Sequence, residues 1–298
     1  MLVCSCLVTV SAITAHAQSE PAAGYRITKT IPIGADGGWD YITIDAVSRR
    51  LYVSHATKMV VVDIDRDTVV GELRDTPGIH GIALAPALGR GYTSNGRDSS
   101  VTIFDLKTLG VLARVKVTGA NPDAIHVDAL TKRVSTFNGR SANATALDAN
   151  TGVVLGTIAL AGKPEFAPTD GRGRLFSVCG NRVLAVSNPT TGAVVSTVPI
   201  GPGVDAVSYD ESEKLLLASN GGDGTMSVIK QKGADQYTSL GNALTRVGSR
   251  TMTIDPKTHR AFLATVQYGP VPAPTAERPR PRAPVIPGSF AILVLDRK

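Results

Sequence analysis

The sequence predicts an all-β fold: a β-propeller of four-stranded antiparallel blades. Three observations carry that prediction. A motif recurs with a period near forty residues, each copy has the same strand-and-turn grammar, and a lone N-terminal strand matches the strand that the last copy lacks. The cleanest copy reads Gly81-Ile82-Ala83-Leu84-Ala85, then Gly89-Arg90-Gly91-Tyr92-Thr93-Ser94-Asn95, then Ser100-Val101-Thr102-Ile103-Phe104-Asp105, then Thr108-Leu109-Gly110-Val111-Leu112-Ala113-Arg114-Val115. Four short β-type runs separated by turn residues, at this period, are the signature of a propeller blade. The register holds arithmetically. Asp45, Ala85, Asp128, Asp170, Asp210 and Asp255 step by 40, 43, 42, 40 and 45, and Asp63, Asp105, Asp148 and Asn188 step by 42, 43 and 40.

Taken in order, residues 1–17 read as an export signal, with an uncharged apolar run and an Ala15-His16-Ala17 cleavage pattern, although a basic segment before the run is missing. Residues 18–298 then form a single propeller domain, placed in the periplasm or secreted. No transmembrane segment is expected in the mature chain. Residues 25–34 alternate like the last strand of a blade whose earlier strands are absent. The first unit spans 37–78 with strands at 41–45, 50–54, 59–63 and 68–73, and the motif quoted above is the second. The third starts near Asn121-Pro122-Asp123, the fourth covers 163–201 and the fifth 203–248. The last unit has three strands, at 250–255, 260–266 and 290–296, so the N-terminal strand completes it. This closes the ring and removes open edges. The count is six blades.

Residues 267–289 carry Pro at 270, 272, 274, 279, 281, 284 and 287. That density forbids ladder bonding and favours extended polyproline backbone. Because a required strand follows, the segment is a Pro-rich loop on the funnel face and not a linker.

Composition narrows function. The net charge of +6 over 298 residues is modest, and no basic stripe interleaved with aromatics appears, which leaves nucleic-acid binding as a weak alternative. Of three cysteines, Cys4 and Cys6 leave with the signal, so Cys179 cannot form an internal disulfide and reads as a small buried hydrophobe. There is no G-x-S-x-G elbow, H-E-x-x-H, C-x-x-C-H or P-loop pattern.

In a propeller, the loops leading into the inner strands and the loops joining second to third strands emerge on one face. The first set places Asp40, His80, Asp123, Glu165, Asp205 and Arg250 around the funnel mouth; the second adds His55, Asn95, Asn138 and Asn220. Clustered carboxylates repel unless a cation relieves them. Asp40, His80, Asp123, Glu165 and Asp205 are therefore the candidate ligands for a divalent cation, a hard one on oxygens or a transition metal if the histidine joins. Solvated rim charges are the plain alternative. Asp45, Asp128, Asp170, Asp210 and Asp255 recur at strand ends and read as turn-capping residues. His126 reads as a core histidine, His259 as solvent-facing and Trp39 as packing beside the mouth.

Several of these stretches resemble the exported YVTN-type (YncE-like) β-propeller repeat family. The carriers are R-L-Y-V-S-H at 50–55, V-V-V-D at 60–63, G-W-D-Y at 38–41, K-P-E-F-A at 163–167, S-N-G-G-D-G-T at 219–225 and P-G-S-F at 287–290. The resemblance covers essentially the whole mature chain and implies seven blades where this sequence supplies six. The fourth unit reads as a splice of two. The functional expectation is a monomeric exported binding protein whose funnel face takes a small ligand, an ion or a protein partner. A metal-assisted, lactonase-like hydrolase is the enzymatic alternative.

Overall fold

The computed structural model describes residues 23–162 and 167–298. Residues 1–17, read above as an export signal, and Glu165 lie outside the described residues. The chain opens with β1 (Tyr25–Pro32). Blade 1 follows as β2 (Trp39–Asp45), β3 (Arg50–His55), β4 (Lys58–Asp63) and β5 (Thr68–Leu73). Blade 2 is β6 (Ile79–Ala85), β7 (Arg90–Asn95), β8 (Ser100–Asp105) and β9 (Val111–Lys116), and blade 3 is β10 (Pro122–Asp128), β11 (Arg133–Asn138), β12 (Asn143–Asp148) and β13 (Val154–Ala159). Blade 4 holds β14 (Leu175–Cys179), β15 (Val183–Ser187) and β16 (Val194–Pro199). Blade 5 is β17 (Val204–Asp210), β18 (Leu215–Asn220), β19 (Thr225–Gly233) and β20 (Gln236–Leu244), and blade 6 is β21 (Met252–Ile254), β22 (Ala261–Thr265) and β23 (Ala291–Arg297). No described helix is long and apolar enough to cross a membrane.

The six sheets form a propeller, and β1 closes it. It pairs antiparallel with β23 from Tyr25↔Arg297 to Pro32↔Ala291, giving blade 6 the order β21-β22-β23-β1. Blade 4 differs from the others. Its described residues make three strands, with only a single bridge, Thr169↔Leu175, where the inner strand stands in the other blades. Val178 of β14 reaches the channel wall there.

Side chains explain why the repeat folds this way. Asp45 Oδ1 accepts the amides of Val47 and Ser48 at 3.0 Å each, and Asp105 Oδ1 accepts those of Lys107 and Thr108. These bonds fix the hairpin turns and leave the aspartates to structure. The arginine that opens a second strand reaches the next blade. Arg50 donates to the carbonyl of Leu106 (2.7 Å), Arg260 to that of Ile64 (3.1 Å), and Arg90 to those of Ala149 and Asn150. The arginine of Arg50-Leu51-Tyr52, Arg90-Gly91-Tyr92 and Arg260-Ala261-Phe262 is thus an inter-blade latch.

The core is divided among the blade junctions. Tyr52, Val61 and Phe104 join blades 1 and 2; Tyr92, Ile103 and Leu147 join blades 2 and 3; Phe176, Leu216 and Ile229 join blades 4 and 5. Leu217 and Leu263 belong to the 5–6 junction, and Val53 with Phe262 to the 6–1 junction. Among the described residues no buried apolar cluster spans blades 3 and 4.

Candidate functional site

Asp40, His80, Asp123 and Asp205 each sit on a bulged inner strand, whereas Arg250 precedes the regular strand β21. The register shifts between Trp39 and Ile42, between Ile79 and Ile82, between Pro122 and Ile125, and between Val204 and Ala206. A bulge leaves one residue unpaired and re-aims its side chain. Here the re-aimed residues are Asp40, His80, Asp123 and Asp205. Serines on the second strands stand in for the lost ladder bonds. Ser54 Oγ accepts the Asp40 amide at 2.9 Å and Ser94 Oγ the Gly81 amide at 2.8 Å. Ser94 also donates to the carbonyl of Asp123 in the next blade, and Ser219 does the same to that of Arg250. One hydroxyl therefore steadies two neighbouring inner strands.

The result is an arc of contacts around the mouth. Asp40 Oδ2 lies 2.6 Å from His80 Nδ1, and Asp123 Oδ1 lies 3.9 Å from the same nitrogen. One ligand atom from each of the three comes within 4.8 Å of the others. All three side chains are part-buried. The hydrogen bond to Asp40 raises the pKa of His80 above the ordinary histidine value, against the opposing effect of burial. Gly96 permits this closeness, because a Cβ there would stand 2.6 Å from His80 Nε2 and 2.7 Å from Asn121 Oδ1. The arc continues through blades 6 and 5. The Arg250 guanidinium lies 5.4 Å over the Trp39 ring, and its Nε is 3.7 Å from Asp205 Oδ2. Trp39 in turn packs on Phe290, with ring centroids 5.4 Å apart.

Below the arc, a channel of about 580 Å³ is walled by inner-strand residues that include Tyr41, Thr43, Gly81, His126, Asp205 and Thr253. The mouth is therefore acidic on blades 1 to 3 and carries a paired arginine on blade 6. It can take a cation between two carboxylates and an imidazole, or keep His80 as an internal counter-charge.

Four predicted mouth residues do not open into it. His55, Asn95, Asn138 and Asn220 are all buried. Asn95 Nδ2 donates to Ser100 Oγ (3.0 Å) and Thr102 Oγ1 (2.9 Å), and Asn138 Nδ2 to Asn143 Oδ1 (2.8 Å) and Thr145 Oγ1 (3.0 Å). Asn220 Nδ2 bridges to Thr225 and Ser227 in the same way. These side chains turn inward because they tie strand two to strand three at the hairpin. In blade 1 the matching third-strand positions are Lys58 and Val60, which offer no hydroxyl acceptors. There His55 stacks on Phe290 at 4.3 Å instead, and its two ring nitrogens find no hydrogen-bond partner.

Three other expectations change. His126 is exposed and lines the channel; it is not a core residue. His259 does not face solvent freely, since its Nδ1 lies 2.6 Å from Oδ2 of buried Asp210 in blade 5. Cys179 is half-buried and closes β14. The bridging serines and Gly96 escaped the sequence reading, although Ser recurs before the second-strand terminal residue in blades 1, 2 and 5 as Ser54, Ser94 and Ser219.

No family model matches the sequence, and no curated protein matches it. Solved structures do resemble it in shape. The WD40 repeats of RRP9 superpose with a TM-score of 0.72 at 7% identity, over 92% of this chain and 98% of that one. A chain of the mitotic checkpoint complex gives 0.61 at 11% identity, over 88% and 95%. A chain of the Kuenenia stuttgartiensis hydrazine synthase gives 0.52 at 16% identity, over 86% and 80%. At these identities the likeness shows the propeller fold alone.

Proposed function

We propose that this chain is a binding propeller whose funnel mouth captures a divalent cation, or a ligand presented through one, on Asp40, His80 and Asp123. One observation carries the reading: three successive blades deliver two carboxylates and an imidazole to within 4.8 Å of one another. Mixed oxygen and nitrogen donors favour Mn²⁺, Zn²⁺ or Ni²⁺ over Ca²⁺, which prefers an all-oxygen shell. The channel below supplies room for a small polar ligand, with His126 and Asp205 on its wall. The Arg250–Asp205 pair supplies a second point of attachment for a ligand bearing charge of either sign.

Isothermal titration with Zn²⁺ and Mn²⁺, with elemental analysis of the purified protein, tests this. The wild type is expected to take one ion, and Asp40→Asn and Asp123→Asn to weaken it at least about tenfold, the scale of one lost ligand held in place. Absence of saturable binding, or equal binding by both variants, overturns the assignment. Lactone hydrolysis by the metal-loaded wild type would shift the reading to the hydrolase alternative.

The finer identity follows the same logic. The R-L-Y-V-S-H and V-V-V-D stretches support a YVTN-type propeller, and the Ala15-His16-Ala17 pattern supports export. Mass spectrometry of the native protein, reading an N-terminus at Gln18, tests the export proposal; an uncleaved chain sinks it.

A further inference from the structure

Five blades carry a large apolar side chain at one and the same second-strand position. Tyr52, Tyr92, Leu217 and Phe262 pair there with inner-strand Thr43, Ala83, Ser208 and Thr253, and the Phe176 amide donates to the Pro168 carbonyl at the matching place in blade 4. All five are buried to 1% exposure or less. Each belongs to an apolar cluster shared with the next blade: Tyr52 with Phe104, Tyr92 with Leu147, Phe176 with Leu216, Leu217 with Leu263 and Phe262 with Val53. In blade 3 the position belongs to Ser135, paired with His126. Arg133, two residues earlier, is exposed and among the described residues reaches no carbonyl of blade 4. The junction between blades 3 and 4 thus lacks both the large side chain and the latch.

The space this leaves shows in the alternation of burial. Val134 and Leu147 pack with Tyr92 toward blade 2, so Ser135, Phe137 and Ala146 turn toward blade 4. Phe176, Leu184 and Val186 pack toward blade 5, so Ser177, Cys179 and Ala185 turn toward blade 3. All six of these facing residues are part-exposed. On the second strands of blades 1, 2 and 5, by contrast, every residue after the first is buried. Sheets packed face to face stand about 10 Å apart, a spacing that large side chains fill. Serine and alanine leave a slot, and at its inner end His126 is exposed in the channel wall.

We propose that the slot between blades 3 and 4 binds a small aromatic ligand, its ring standing where the other blades place their own large side chain and its polar group toward His126. The register sets the ligand class. Blades 1, 2, 4 and 6 put a single aromatic ring at this position, and blades 1 and 2 put a phenol there. A ring entering the slot leaves water and gains contacts with both sheets. The site adjoins the channel read above as room for a ligand, but it uses none of the cation donors at the mouth.

The test uses the full chain and, as probe, p-cresol, the side chain of tyrosine as a free molecule. Ligand-observed NMR titration is expected to show saturable one-to-one binding in the millimolar range or tighter, unchanged by EDTA, as suits a ligand of few heavy atoms. At saturation p-cresol should slow hydrogen exchange of β14 amides, because it binds the closed ring and not the opened one. Ser135→Phe fills the slot from blade 3 and Ala185→Leu fills it from blade 4. Each should weaken p-cresol at least about tenfold and raise the denaturant midpoint. Leu130→Phe, at an exposed turn of blade 3, should bind like the wild type. Circular dichroism confirms that each variant folds. The proposal is overturned by non-saturable binding to the wild type, by undiminished binding to both filling variants, or by a lowered midpoint in both. Loss of p-cresol binding in EDTA would place the ligand at the mouth and overturn it as well.

Discussion

Replacing Asn95 by alanine separates a ligand role from a structural one. Asn95 is fully buried and holds three side-chain bonds: two donated, to Ser100 (3.0 Å) and Thr102 (2.9 Å), and one accepted from Thr93 Oγ1 (3.0 Å). A buried hydrogen bond contributes about 1 kcal/mol net, and the hydroxyls left behind add to the loss, so the variant should lose about 3–4 kcal/mol. Asn138 also holds three bonds, the accepted one from Thr136 at 3.1 Å, and should cost about the same. Asn220 holds two, because its Oδ1 has no partner, and should cost about 2 kcal/mol. Urea denaturation at matched m-value reads the ranking, and cation titration on the same samples should be unchanged. The reasoning is refuted if Asn220→Ala costs more than Asn95→Ala, or if Asn95→Ala loses cation binding while keeping its stability.

Three further outcomes follow from particular contacts. Burial, with a smaller contribution from Lys58, lowers the pKa of His55 from 6.5. Below pH 6.5 the unfolded chain therefore binds a proton that the folded chain refuses, and this site costs stability as pH falls from 6.5 toward the folded value. His55→Leu should show a flatter loss of stability between pH 7.5 and 5.5, measured by denaturant midpoint; an identical slope contradicts the assignment. Arg260 donates to the Ile64 carbonyl (3.1 Å) across the blade 6–1 junction and to Asp296 (2.8 Å) within blade 6, and Arg260→Ala should cost about 2 kcal/mol by the same denaturation assay. Among the described residues the 3–4 junction has no shared apolar cluster, so amides of β14 should exchange hydrogen faster than those of β7 or β18. Native-state exchange read by mass spectrometry decides it, since local opening follows local packing.

Much of the architecture was legible because a propeller repeats. Each hairpin needs its own turn residue, so Asp45, Asp128, Asp210 and Asp255 mark the register regardless of what lies beside them. The lone strand at 25–34 implied ring closure before any contact was known. The mouth residues on the inner strands were also legible as positions, because inner-strand starts lie nearest the axis. The direction of a side chain was not legible. Asn95 and Asp123 both sit where loops meet the mouth, yet one is turned inward by two hydroxyls on β8 and the other outward by a bulge in β10.

The sequence by itself determined the period, the closing strand and the Pro-rich loop at 267–289. Each depends on interactions within a few residues or on a pattern repeated along the chain. Only the tertiary structure decided that Asp40, His80 and Asp123 meet within 4.8 Å, and that Arg250 lies over Trp39. Those partners belong to different blades, from about forty residues apart for the mouth triad to more than two hundred for Arg250 and Trp39. Their meeting depends on how far each inner strand bulges and on which serine or glycine lets two strands approach.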